Sequence, residues 1–164
     1  GRFPSVATAL RNFYKQRLLS TALATHALFS PFEPDERRNL MEMFKSKSFK
    51  AGDILLEEGK KSGGLFLVLY GGLEVVKDDP PQVVAELTSG DLFGEMSLLM
   101  NEAAMASVRA TQDCFILRLS RRKFDEVIMT HPQVLELVSK LTEERRQAND
   151  RDVDHTGRYN AVLV

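Results

Sequence analysis

The residues most able to do chemistry lie in one run, Phe93-Gly94-Glu95-Met96-Ser97-Leu98-Leu99, followed closely by Ala104-Met105-Ala106-Ser107-Val108-Arg109-Ala110. Gly94 lets another group come close to the backbone. The stretch after it reads as a short helix, whose free N–H groups would draw anions. Glu95 brings a strong hydrogen-bond acceptor to the same place. Alone, such a carboxylate is more often a cap or a surface group. The other candidates are weaker. His26, His131 and His155 are far apart, with no His-x-His spacing and no neighbouring cysteine, so no metal site is expected. Cys114 sits in an apolar strand pattern and reads as a small core residue. Arg121-Arg122-Lys123 reads as a solvated helix start rather than a nucleic-acid contact. No nucleophile–base pair or metal cluster is present, so neither an enzyme nor a cofactor is expected.

Elements must hold that run in place. At 164 residues and 43% hydrophobic, the chain is long and apolar enough for one domain with flanking helices. A net charge of −1 gives no global pull toward nucleic acid or anionic membrane. A single cysteine excludes an internal disulfide and suits a reducing, cytoplasmic setting. No apolar run reaches the about 18 residues of a membrane helix, and no signal peptide is visible. The chain opens on Gly1 rather than Met, as a piece of a longer protein would.

Eight of the ten glycines fall between Gly52 and Gly94, which marks the middle of the chain as short strands joined by tight turns. Before it, helix is predicted from Ser5 to about Leu28, with Ser20 or Thr21 able to cap a second segment. Pro34-Asp35-Glu36 opens another helix. Strands are predicted at Ile54 to Leu56, Leu65 to Tyr70, Leu73 to Val76, Val83 to Leu87, Ser107 to Ala110 and Phe115 to Leu119. Asp78-Asp79-Pro80-Pro81 is a hairpin tip, since two prolines cannot sit in a central strand. Ser120 caps a helix to about Met129. A last helix starts at Pro132 with Val134, Leu135, Leu137, Val138 and Leu141 as its apolar stripe.

The run from Phe93, with its close at Ala106 to Ala110, resembles the phosphate-binding cassette of the cyclic-nucleotide-binding domain family. That family includes the regulatory subunits of cyclic-AMP-dependent kinase, the catabolite activator proteins and the cyclic-nucleotide-gated channels. Its pattern is roughly F-G-E-[LI]-[AS]-L, a short stretch, then R-x-A-[ST]-V-x-A. Ala104 stands where the pattern has arginine, and Met105 where a small polar residue is frequent. The resemblance covers about residues 28–147. It implies a mainly β fold, an antiparallel jelly-roll barrel with N-terminal helices and two C-terminal helices. The expected parts are a helical segment over 1–46, the jelly roll over 47–119 with the cassette at 90–110, hinge and lid helices over 120–149, and a tail over 150–164.

The same resemblance implies roles. Glu95 would accept a hydrogen bond from a ribose hydroxyl. Gly94, Met96 and Ser97 would shape the backbone site for phosphate. Phe93, Ala104, Met105, Ala106 and Ser107 would complete the lining, and Leu141 and Arg145, with Arg146, would cap the base. Without the arginine, a charge-assisted hydrogen bond of about 1.5–3 kcal/mol is missing. Affinity for cyclic AMP or cyclic GMP is then expected about 10–1000-fold below a typical member. Arg109, two side chains beyond Ser107, is a candidate substitute cation. The implied function is a regulatory domain that senses cyclic AMP or cyclic GMP weakly and relays binding through its C-terminal helices to attached or partner domains. The alternative is a ligand-free module for protein interaction. The broad apolar face of the first helix is a candidate homodimer interface. Nothing in the chain predicts a nucleic-acid contact or a membrane span.

Overall fold

The computed structural model describes residues 5–151, excepting the side chains of 145–151. The tail expected over 150–164 thus lies almost wholly outside the described residues. Helix α1 runs Val6–Thr25, and the Ser5 hydroxyl caps it by accepting from the Thr8 N–H at 3.1 Å. The predicted break at Ser20 or Thr21 does not occur. Leu18, Leu19, Ala22 and Leu23 keep one face of α1 on the core across that point. The good helix formers around it outweigh two hydroxyl residues. Helix α2, Pro34–Glu42, begins with proline at its first turn beside Asp35 and Glu36, as predicted.

Eight strands follow: β1 Lys45–Phe49, β2 Ile54–Leu56, β3 Gly64–Tyr70, β4 Leu73–Asp78, β5 Pro81–Leu87, β6 Leu92–Phe93, β7 Ser107–Ala110 and β8 Cys114–Ser120. The short helix α3, Glu95–Met100, interrupts them, and α4, Arg121–Thr130, and α5, Gln133–Arg151, end the described chain. Two four-stranded sheets form, ordered β1-β8-β3-β6 and β2-β7-β4-β5, with antiparallel pairing. The fold is therefore mainly β with flanking helices, as expected.

Side-chain alternation along β8 shows how the layers stack. Cys114 and Ile116 face the space between the sheets, where Leu56, Phe66, Val75 and Val108 meet them. Phe115, Leu117 and Leu119 face the other way, onto Leu28, Phe29, Leu40, Phe124, Val134 and Val138 of the helical layer. The β3–β8 sheet is covered on both faces, which is why β3 reads as the unbroken apolar run Leu65 to Leu69. Each large side chain so buried stabilises the fold by about 1.5–3 kcal/mol. The second sheet has a solvated outer face carrying Glu74 and Arg109. Helices thus cover only one sheet, and residues of α3 and α5 line a common cavity.

Candidate functional site

Two requirements make position 94 a glycine. It takes a left-handed backbone (φ 86°), and a Cβ there would sit 2.5 Å from the Gly64 carbonyl oxygen. Phe93 is fully buried and stacks on Phe66 of β3, with ring centroids 4.7 Å apart. Together these residues fix the start of α3 against β3. Glu95, the first residue of α3, is only 1% exposed. It lines a cavity of about 320 Å³ with His26, Gly90 and Asp91 on one side and Leu141 and Glu144 of α5 on the other. Among the described residues, no lysine or arginine side chain lines this cavity.

Among the described side chains predicted to form a site, Glu95 and Leu141 meet at this cavity. Phe93, Gly94, Met96 and Ser97 flank Glu95 without lining it. The Ser97 hydroxyl is engaged within the protein, donating to the Glu102 carbonyl and accepting from the Ser62 N–H at 2.8 Å. It staples the cassette helix to the turn between β2 and β3. The Ser107 hydroxyl has a similar task, accepting from the Glu58 N–H at 2.9 Å.

Ala104 is 6% exposed and belongs to the core between the sheets, with Ala106 fully buried beside it. Its backbone pairs with the same turn: Ala104 N–H donates to the Lys60 carbonyl at 2.8 Å, and Gly59 N–H donates to the Ala104 carbonyl at 2.9 Å. Met105, between the two buried alanines, is 63% exposed. Arg109 is not a substitute cation. It sits directly opposite Glu74 across β4 and β7, and its guanidinium donates to that carboxylate on the outer face of the sheet. The side chains of Arg145 and Arg146 lie outside the described residues.

His26 is a residue whose position the sequence concealed. The Leu28 N–H donates to its Nδ1 at 3.1 Å, so Nδ1 carries no proton, and Nε2–H donates to the Gly90 carbonyl at 2.9 Å. The ring ties the end of α1 to the turn before β6. It also walls a second cavity, of about 550 Å³, between α1 and Leu67 and Leu69 of β3. No local spacing signals a contact between residues 64 apart. Cys114 is a core residue: burial pushes its thiol above the ordinary value of 9.0, so it stays protonated and unreactive at neutral pH. No group of three or more metal-ligating side chains occurs among the described residues.

Residues 46–131 match the family model described as the cyclic nucleotide-binding domain. The chain is 30% identical over 116 residues to the cAMP-dependent protein kinase regulatory subunit of Aspergillus fumigatus, which covers 71% of this chain and 28% of that protein. It therefore spans under a third of that relative's length. Among solved structures, the catabolite activator protein of Thermus thermophilus superposes with a TM-score of 0.69 at 27% identity, covering 78% of this chain and 62% of that one. The regulatory subunit of a cAMP-independent protein kinase A from Trypanosoma cruzi, bound to guanosine, superposes with a TM-score of 0.67 at 25% identity, covering 87% and 52%. No described helix is long and apolar enough to cross a membrane.

Proposed function

The chain belongs to the cyclic nucleotide-binding domain family, and from that premise we propose that it is a regulatory ligand-sensing module that grips sugar and base rather than phosphate. The observation that carries this reading is Glu95. It is a buried carboxylate at the glycine-opened start of α3, facing a cavity that α5 closes with Leu141. A carboxylate there accepts hydrogen bonds from a ribose hydroxyl. The complementary charge for a phosphate is not supplied by Ala104, whose methyl is in the core, nor by Arg109, which is committed to Glu74. A purine nucleoside fits such a pocket about as well as its cyclic phosphate, so cyclic AMP and cyclic GMP bind only weakly. The guanosine-bound relative supports this ligand class, and its name marks it as cAMP-independent.

Binding is relayed through the two C-terminal helices. A ligand held by Glu95 touches α5 through Leu141, and α4 hinges with it to pass the movement to attached or partner domains. The exposed Val6, Leu10 and Phe13 of α1 give a homodimer one place to form. Nothing in this scheme requires catalysis or a cofactor.

Calorimetric titration with adenosine, guanosine and their 2′-deoxy forms tests the reading. The ribonucleosides should bind about 10–100-fold more tightly than the deoxy forms, the effect of one hydrogen bond to a charged group. Equal binding of both would remove Glu95 from the site. Binding of neither nucleoside nor cyclic nucleotide would favour a second reading, a ligand-free protein-interaction module. The outward-turned Met105 is the observation in its favour.

A further inference from the structure

The far end of α3 has a different character. Asn101, its C-cap, adopts a left-handed backbone (φ 53°, ψ 40°). Its side-chain oxygen accepts from Lys61 Nζ at 3.3 Å and lies 3.5 Å from Arg121 Nη1. Beside it, Arg118 Nη2 donates to the Gly63 carbonyl at 2.9 Å, and that same carbonyl accepts from the Arg121 N–H. Arg38, Lys60, Arg109, Arg122 and Lys123 each have a carboxylate partner. Lys61, Arg118 and Arg121 have none in the ion pairs of the described residues, which is equally true of Lys15, Lys45, Lys47 and Lys50; what sets this group apart is that Lys61 and Arg121 converge on one amide oxygen. The hydrogen-bond partners of Lys61, Arg118 and Arg121 are neutral oxygens, the Ser97 carbonyl among them for Arg121, and the Arg118 guanidinium also lies over the Phe66 ring, 6.0 Å from its centroid. Two cations on one amide oxygen repel each other, and an anion set between them relieves that repulsion.

Apolar surface accompanies the charge. Met100 is 56% exposed next to Asn101, and Met105 is 63% exposed two residues past the bridge of Ala103 to Lys61. Methionine adapts its shape to varied partners. We propose that Lys61, Arg118 and Arg121, flanked by Met100 and Met105, form a docking surface for an acidic segment of a partner protein that interleaves apolar residues with its carboxylates. Three cations fall short of the four to eight that typify an anionic-lipid site. The loop shows no exposed aromatic ring on which a nucleic-acid base would stack. The surface is separate from the cavity at Glu95, so this inference stands whether or not that cavity takes a ligand. A segment seated here would clamp residues 101–105, the stretch in which the cassette departs from its family pattern.

Fluorescence anisotropy on the full chain tests it. The probe is a fluorescein-labelled peptide alternating glutamate and aspartate with leucine. The comparators are the same peptide with glutamine and asparagine, phosphatidylserine-containing vesicles, and a single-stranded oligonucleotide. The acidic peptide should bind, weaken as salt rises, and lose at least about tenfold in the Lys61→Gln, Arg121→Gln double variant. Lys61→Arg should keep its affinity. Should the double variant fail to fold, Lys61→Gln alone still weakens binding several-fold, because that side chain is on the surface. No binding of the acidic peptide, equal binding of the neutral one, indifference to both substitutions, or tighter binding of vesicles or oligonucleotide would each overturn the proposal.

Discussion

Among the described residues, the two ends of one six-residue helix stand in different electrostatic settings. At its start, Glu95 is buried beside Asp91 and Glu144, under α5, with no described cation on the cavity wall. At its end, the exposed Lys61 and the half-buried Arg121 meet at Asn101, with no carboxylate in a described ion pair. A site that grips a phosphate needs the reverse at the start: positive charge beside the backbone N–H groups. The contrast teaches that a cassette is two separable devices. The Gly94–Glu95 half is built by packing against β3. The Ala104–Met105 half is built by backbone pairing of Ala104 with the β2–β3 turn.

Breaking the first half outright should have the largest effect. Phe93→Ala removes a fully buried ring stacked on Phe66 and should cost about 3–5 kcal/mol of stability. Urea denaturation measures this, and a loss below about 1 kcal/mol would mean that the ring is not a core element. Gly94→Ala should follow, at about 1–3 kcal/mol from the left-handed backbone alone, with the Gly64 carbonyl contact adding to it. Unchanged thermal stability would show that the chain relaxes there. Glu95→Gln keeps the side-chain shape and should weaken nucleoside binding by about 1.5–3 kcal/mol. It should leave the acidic peptide unaffected at the other end of α3. Coupled losses would mean that the two ends act as one site. The smallest effect concerns Cys114. Its raised thiol pKa makes the folded state hold a proton that the unfolded state gives up earlier. The stability that it contributes is therefore complete below the ordinary thiol value and fades as pH rises through the higher folded value. The slope of stability against pH in the alkaline range should flatten in Cys114→Ala.

Much of the fold was legible because its signals are local. Leu65 to Leu69 is apolar on both faces, and the structure covers both faces of that strand with core. Proline and acids at Pro34–Glu36 and the hydroxyl of Ser120 mark helix starts through contacts within one turn. Strand β1 was missed, since Lys45-Ser46-Lys47-Ser48 is a polar edge that pairs with β8 alone. β6 was missed because two residues carry no period. In the candidate site, the motif resemblance pointed to Glu95 but not to what surrounds it. That Ser97 faces Ser62, that Arg109 faces Glu74, and that His26 clasps Gly90 are consequences of pairing across 35 to 64 residues. No pattern in a single sequence encodes such contacts.

The most direct measurement is the affinity ratio of cyclic AMP to adenosine, by calorimetry, in the native chain and in Ala104→Arg. Overpacking the inter-sheet core with arginine costs about 1–3 kcal/mol of stability, so the variant's melting is recorded alongside. The native ratio should lie within about tenfold of one, and the arginine, where its long side chain turns out of the inter-sheet core toward the Glu95 cavity, should raise cyclic AMP affinity by at least about 1.5 kcal/mol while leaving adenosine where it was. A native chain that prefers cyclic AMP by more than about a hundredfold would contradict the central claim, because it would place an effective phosphate cation in the pocket already.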